Sequence, residues 1–221
     1  MDKNLVVNIE NVYLKSDRGK SLFEDITFRL ENGKTAIISG SAGSGKSLLV
    51  QLLIGERFAD TGSVTVLGKI LKKNNKKELK KVRQQVGGVG GMFVLIPHYT
   101  VSENIVFPLI LNGERKAGRK EKLLKILTEF SLLKQAGEYP DSLTRVENTM
   151  VQFARASIAN QPLLIIDEPA AGLDANTYLR IVEFLKKAAV SGRSTVILSS
   201  ERPQYEIPGS SFYQLENGKI K

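Results

Sequence analysis

Gly40-Ser41-Ala42-Gly43-Ser44-Gly45-Lys46-Ser47 is the stretch on which the fold turns. The apolar run Ala36-Ile37-Ile38 precedes it and reads as a buried strand. Leu48-Leu49-Val50-Gln51-Leu52-Leu53-Ile54 follows it and reads as a helix that stops at Gly55, a C-cap glycine. A glycine-rich loop between a strand and a helix is a phosphate-binding loop. Its glycines let the backbone curl so that successive N–H groups point inward and approach phosphate oxygens closely. The helix N-terminus adds free N–H groups and partial positive charge. Lys46 is placed for the β- and γ-phosphates and the Ser47 hydroxyl for Mg²⁺. The candidate nucleotide-binding residues are therefore Gly40, Ser41, Ala42, Gly43, Ser44, Gly45, Lys46, Ser47 and the adjoining Leu48.

The 221 residues suffice for one domain with a sizeable core or for two small lobes. With no cysteine, disulfides and cysteine-based metal sites are excluded, which fits a reducing compartment. No apolar run approaches the roughly 20 residues that span a bilayer. Met1-Asp2-Lys3-Asn4-Leu5 lacks a signal peptide's apolar segment, so a cytoplasmic location is expected. Net charge is +9, from 32 basic and 23 acidic side chains, a balance compatible with nucleic acid or anionic lipid.

Val6 to Leu14, Ile26 to Leu30 and Ser63 to Leu67 alternate as strands, with a turn at Glu31-Asn32-Gly33-Lys34. Lys69 to Arg83 is a basic run with a single acid, Glu78, read as a solvated helix-turn face; no aromatic interleaves its charges, which argues against single-stranded nucleic acid. Val86 to Gly91 reads as a flexible strand-to-loop passage. The lone histidine, His98, has neither metal partners nor a triad and is assigned a structural role. Lys116 to Phe130 forms an amphipathic helix with a stripe of Leu123, Leu124, Leu127 and Phe130; Glu147 to Ala159 forms a second. Leu163-Leu164-Ile165-Ile166 is a fully buried strand. A helix follows Asp174 through Val190, with Leu179, Val182, Phe184 and Leu185 inward. Thr195 to Leu198 is a further buried strand, and Phe212 to Ile220 a hairpin about Asn217-Gly218.

The strand ending in Asp167-Glu168 supplies what a phosphate loop needs beside it. Asp167 is the candidate Mg²⁺ holder together with Ser47, and Glu168 the catalytic residue that polarises the attacking water. Their adjacency places both at the carboxyl end of a strand, where open α/β sheets bind ligands.

Gly40 to Ser47, the later Leu163-Leu164-Ile165-Ile166-Asp167-Glu168-Pro169, and Ala171-Gly172-Leu173-Asp174 together resemble the ATP-binding subunit of ABC transporters, over nearly the whole chain. Leu95 to Asn104, with Pro108-Leu109 and Asn112-Gly113, is similar to the short bacterial subunits of lipoprotein-release, macrolide-efflux, cell-division and lipid-trafficking systems. The resemblance implies an α/β P-loop NTPase fold: a RecA-like core with an antiparallel β subdomain. Residues 1–221 then form a single nucleotide-binding domain, with a helical subdomain inserted over about 92–148. It implies ATP and Mg²⁺ as cofactors and Tyr13 as the aromatic stacking on adenine. It also implies Ala171 to Asp174 as the D-loop, and Phe93 to Phe107 as the contact region for integral membrane subunits. Members pair, as homodimers or with another ATP-binding subunit, and dock at the inner face of the cytoplasmic membrane. No nucleic-acid partner is expected: repair members carry coiled-coil insertions and translation members tandem cassettes, and this chain holds neither.

The chain also departs from the family's pattern. The signature Leu-Ser-Gly-Gly-Gln falls on Leu143-Thr144-Arg145-Val146-Glu147, where Arg145 and Val146 carry side chains in place of glycines. The Q-loop glutamine falls on Gly91 and the switch histidine on Ser200; neither replacement carries a charge-bearing donor for a developing transition-state charge. Leu48 replaces a threonine, removing one α-phosphate contact, and Pro203 and Pro208-Gly209 interrupt a helix. Nucleotide-binding parts are retained and γ-phosphate-sensing parts replaced. The expected function is an ATP-binding subunit with slow or partner-dependent hydrolysis, the alternative a non-hydrolysing nucleotide-binding scaffold.

Overall fold

The computed structural model describes residues 4–168, 173–201, 207 and 209–221. Strands β1 (Leu5–Lys15) and β2 (Ser21–Glu31) form a long antiparallel pair, with β4 (Thr61–Val66) on the other side of β1 and short β5 (Lys69–Ile70) beyond it, in the order β2-β1-β4-β5. Both long strands outrun the segments expected from alternation alone. The ends pair as Leu5 with Glu31, Leu14 with Phe23 and Lys15 with Ser21, across bulges that break the strict alternation of apolar positions.

The second sheet has the order β10-β9-β3-β8-β7-β6. Its parallel members are β3 (Thr35–Ser39), β6 (Val86–Val89), β7 (Leu163–Asp167), β8 (Ser194–Ser199) and β9 (Ser210–Glu216); β10 (Lys219–Ile220) folds back on β9 as the expected hairpin. The helices are α1 (Lys46–Leu53), α2 (Lys76–Gln84), α3 (Val101–Leu111), α4 (Lys116–Glu129), α5 (Arg145–Arg155) and α6 (Ala175–Val190).

Successive side chains on a strand point to opposite faces, so the parallel sheet feeds two cores. Ala36, Ile38, Leu163, Ile165, Val196 and Leu198 pack with the antiparallel sheet and α1. Ile37, Leu164, Ile166 and Ile197 pack with α3, α5 and α6. Strands buried on both faces lose polar alternation, which is why β7 and β8 read as continuous apolar runs.

Several boundaries and faces differ from expectation. Val86 to Val89 is the edge strand β6, and the chain leaves it at Gly90 and Gly91, a strand-to-loop passage. Its glycines are dictated by contact, because a Cβ at Gly87 would lie 2.5 Å from the Ala156 carbonyl oxygen. Leu124 and Leu179 face solvent, and Ile126 and Ile181 take the buried positions instead. Helix α5 starts at Arg145, two residues before the expected Glu147, because Thr144 caps it. On α1 the cap is Ile54; Gly55 is the left-handed residue beyond it, and the Arg83 guanidinium donates to the Ile54 and Gly55 carbonyls. The Phe93 to Phe107 segment is less exposed than expected, since Leu95, Val101 and Ile105 are core residues and only part of it, including Val94 and Tyr99, is open. His98 is exposed in the turn before α3.

Candidate functional site

Parallel register sets out the site. Ser39 on β3 pairs with Ser199 on β8, Leu198 on β8 with Asp167 on β7, and Ile166 on β7 with Val89 on β6. The residues just past these strands therefore line up along the carboxyl edge of the sheet in the order Gly40, Ser200, Glu168 and Gly90. Open α/β sheets bind ligands at that edge.

The phosphate loop is stabilised from within. Gly40 N–H donates to Ser199 O at 3.1 Å, and Ser44 N–H to Ser41 O at 3.1 Å. Gly45 precedes α1 with φ 108°, and a Cβ there would lie 2.8 Å from the Phe23 ring, so only glycine serves. Lys46 is almost wholly buried. Its Nζ donates to Gly40 O at 2.5 Å and Ser41 O at 3.2 Å. Ser41, Ala42, Gly43 and Ser47 are exposed, and Leu48 packs partly against the core. Tyr13 stands on the other sheet, on β1, and is 43% exposed.

Glu168 follows β7 in a left-handed conformation, φ 56°, with its N–H donating to Leu198 O at 2.8 Å. Its carboxylate Oε1 accepts from the Ser200 hydroxyl and lies 3.7 Å from Lys46 Nζ. Ser200, the replacement for the switch histidine, thus engages the candidate catalytic carboxylate. That pairing spans 32 residues of sequence and follows only from the β7–β8 register.

Asp167 is buried beside this group. Burial first, then the Glu168 carboxylate, push its carboxyl above the usual range, and the Lys46 ammonium pulls it back. Asp167 and Ser47 offer hard oxygen donors of the kind Mg²⁺ takes, so the donor set fits it. Against Asp167 lie Gly90 and Gly91. A Cβ on Gly90 would sit 2.0 Å from the Asp167 carbonyl oxygen, and one on Gly91 2.2 Å from Asp167 Oδ2. At Gly91, where the family's pattern has a glutamine, the Asp167 carboxylate takes up the space a Cβ would need.

The signature position is a helix cap. Thr144 Oγ1 accepts the Glu147 N–H at 3.2 Å and donates to Glu147 Oε2 at 2.8 Å, while Thr144 N–H donates to the same carboxylate oxygen. Arg145, Asn148, Thr149 and Gln152 of α5 face Gly90, Asp167 and Glu168 across a recess of about 420 Å³. Of the expected D-loop, Ala171 and Gly172 lie outside the described residues. Asp174 caps α6, accepting from the Asn176 and Thr177 N–H groups. Pro203 and Pro208 also lie outside the described residues.

A larger groove of about 720 Å³ opens elsewhere, with Lys73, Lys76, Lys80 and Arg83 around Phe58 and Leu111. Among the described residues no cluster of His, Cys, Asp and Glu has metal-site geometry, and no helix is long and apolar enough to cross a membrane.

A model of the ABC transporter family matches residues 23–171, which include the phosphate loop, α5 and Asp167-Glu168. The chain belongs to the ABC transporter family. Relatives of this ABC chain are similar nearly end to end. The lipoprotein-releasing system ATP-binding protein LolD of Aquifex aeolicus is 32% identical over 218 residues, covering 97% of this chain and 96% of its own. The cell division ATP-binding protein FtsE of Streptococcus pneumoniae is 29% identical over 216 residues, covering 97% and 94%. Among solved structures, a dimeric post-hydrolysis state of the ATP-binding cassette MJ0796 bound to ADP and Pi superposes with a TM-score of 0.85 at 25% identity, covering 97% of this chain and 96% of that one. The fold is that of an ABC-type P-loop NTPase.

Proposed function

We propose that the chain is the ATP-binding subunit of an ABC transporter or envelope transport complex, one that binds MgATP and hydrolyses it slowly or only with its partners. The observation that carries this is Lys46: its ammonium lies inside an intact phosphate loop, 3.7 Å from the Glu168 carboxylate on a strand two places away in the sheet. The loop N–H groups and Lys46 bind the phosphates, the Tyr13 ring receives the base, and Ser47 and Asp167 hold Mg²⁺. Mg²⁺ bound there supplies charge neutralisation to the phosphate oxygens. Glu168 orients the water.

The chain acts as one nucleotide-binding domain, with the helices between β6 and β7 as a helical subdomain over about 92–148. LolD and FtsE are named as ATP-binding proteins of a lipoprotein-releasing system and of cell division. This chain accordingly works paired, at the cytoplasmic face, against integral membrane subunits.

A second reading, a nucleotide-binding scaffold that does not turn over, is favoured by one observation. The carboxylate meant for water already accepts the Ser200 hydroxyl and lies beside Lys46.

The test of nucleotide binding is the rise in melting temperature that ATP with Mg²⁺ confers, since a ligand selective for the native state stabilises it. Lys46→Ala is expected to abolish that rise while leaving the unliganded melt within a few degrees of the parent. An equal rise in both proteins would remove the phosphate loop from the account.

A further inference from the structure

Gln152 is the polar exception on an apolar stretch of α5, where Met150, Val151, Phe153 and Ala154 are buried in the core. Its Oε1 accepts the Gly90 backbone N–H at 2.7 Å, and its Nε2 donates to Asn148 Oδ1, one turn earlier, at 2.8 Å. Both bonds lie at the recess that Asp167 and Glu168 also line.

The backbone that Gln152 holds is the wall against which Asp167 rests. Gly90 and Gly91 approach the Asp167 carbonyl and carboxylate so closely that neither position has room for a Cβ. At such packing, a shift of the wall by a few tenths of an ångström moves the carboxylate with it. A side chain without an acceptor at 152 would also leave the Gly90 N–H seeking another partner. The orientation of Asp167 is thereby tied to the seating of α5.

We propose that Gln152 is a positioning residue for Asp167: through the Gly90–Gly91 backbone it sets the metal-holding carboxylate and couples Mg²⁺ binding to the placement of α5. This rests on the reading of Asp167 as a Mg²⁺ ligand. Asn148 holds the amide in register and is the outer member of the relay.

The experiment uses the full chain and reads the ATP-induced melting shift, first in EDTA and then across a Mg²⁺ titration. Gln152→Met keeps volume and removes both hydrogen bonds. Its shift in EDTA should match the parent, while the half-saturating Mg²⁺ concentration rises at least tenfold. Gln152→Glu keeps an acceptor for Gly90, with the Asn148 amide rotating to donate, and should stay within threefold of the parent. In an Asp167→Asn background, adding Gln152→Met should change nothing further. A Gln152→Met titration that overlays the parent overturns the proposal, as does a loss of ATP response that is equal with and without Mg²⁺. Should Gln152→Met fail to fold, Asn148→Ala loosens the relay without touching Gly90; a threefold or larger rise supports the proposal and a parental titration overturns it. A parent without any Mg²⁺ dependence removes the metal reading of Asp167 and this proposal together. A Mg²⁺-dependent parent with an unaffected Gln152→Met removes the proposal alone.

Discussion

Glu168 is the residue proposed to orient the attacking water. A non-glycine residue at φ 56° carries backbone strain on the order of 1 kcal/mol, held here by the β7–β8 pairing and by contacts to Ser200 and Lys46. Its lone pairs are partly committed, so it offers an attacking water less than a free carboxylate would. Removing one preorganised charge-stabilising group costs about 10²–10³ in rate, and losses within one cooperating site do not multiply. Steady-state phosphate release by the isolated chain is therefore expected near background, with Glu168→Gln changing it little and leaving nucleotide binding intact. Brisk release that Glu168→Gln eliminates would show that Ser200 and Arg145 supply the missing chemistry. The phosphate loop and the acid pair were legible because spacing alone defines them. The Ser200–Glu168 bond and the Gln152–Gly90 bond were not, since each joins segments brought together only by the sheet's register.

Helix α5 shows what a changed motif does at the scale of an element. Thr144 is a true N-cap in a reciprocal box with Glu147, which also accepts from Gln135 Nε2 at 2.7 Å. The Thr144 hydroxyl is thus engaged within its own helix. Thr144→Ala should destabilise by about 1 kcal/mol, a fall of roughly 2–4 °C in a protein of this size. The Thr144 N–H and then its hydroxyl hold the Glu147 carboxyl below the usual carboxylate range. That contribution is fully present above the unfolded value of about 4.3 and fades as pH falls through the lower folded value. The gap between parent and Thr144→Ala melts should accordingly narrow from pH 7 towards about pH 3.5; a gap that widens on acidification would contradict the box. At the other end of α5, the half-buried Arg155 donates to the Phe93 and Val94 carbonyls, and desolvation lowers its guanidinium to about 10. Helix periodicity placed α4 and α6 but misassigned Leu124 and Leu179, because an apolar residue flanking a stripe is not always inside it.

At the scale of the molecule, one parallel sheet separates two cores, and the site runs along its edge. The +9 charge is not spread evenly. The run from Lys69 to Arg83 becomes β5 and α2, and three of its lysines and Arg83 ring the groove that also reaches Leu111 of α3. Such a rim favours an amphipathic partner segment bearing acidic side chains. Lys76→Glu with Lys80→Glu should release the protein from native membranes into the soluble fraction without altering the ATP-induced melting shift. Retention equal to the parent's would show that this rim takes no part in membrane association. The basic run was plain in the sequence. Its meeting with α3 was not, since a groove belongs to the packing of several elements.

The contact between Gly91 and Asp167 also constrains the route by which this chain could change. Oδ2 of Asp167 occupies the volume that the first carbon of any side chain at 91 would need, and the backbone there has φ 50°. Gly91→Gln would therefore displace the Asp167 carboxylate. A side chain at 91 thus comes only with a shift of Asp167 or of the backbone facing it, so the two positions change together and not singly.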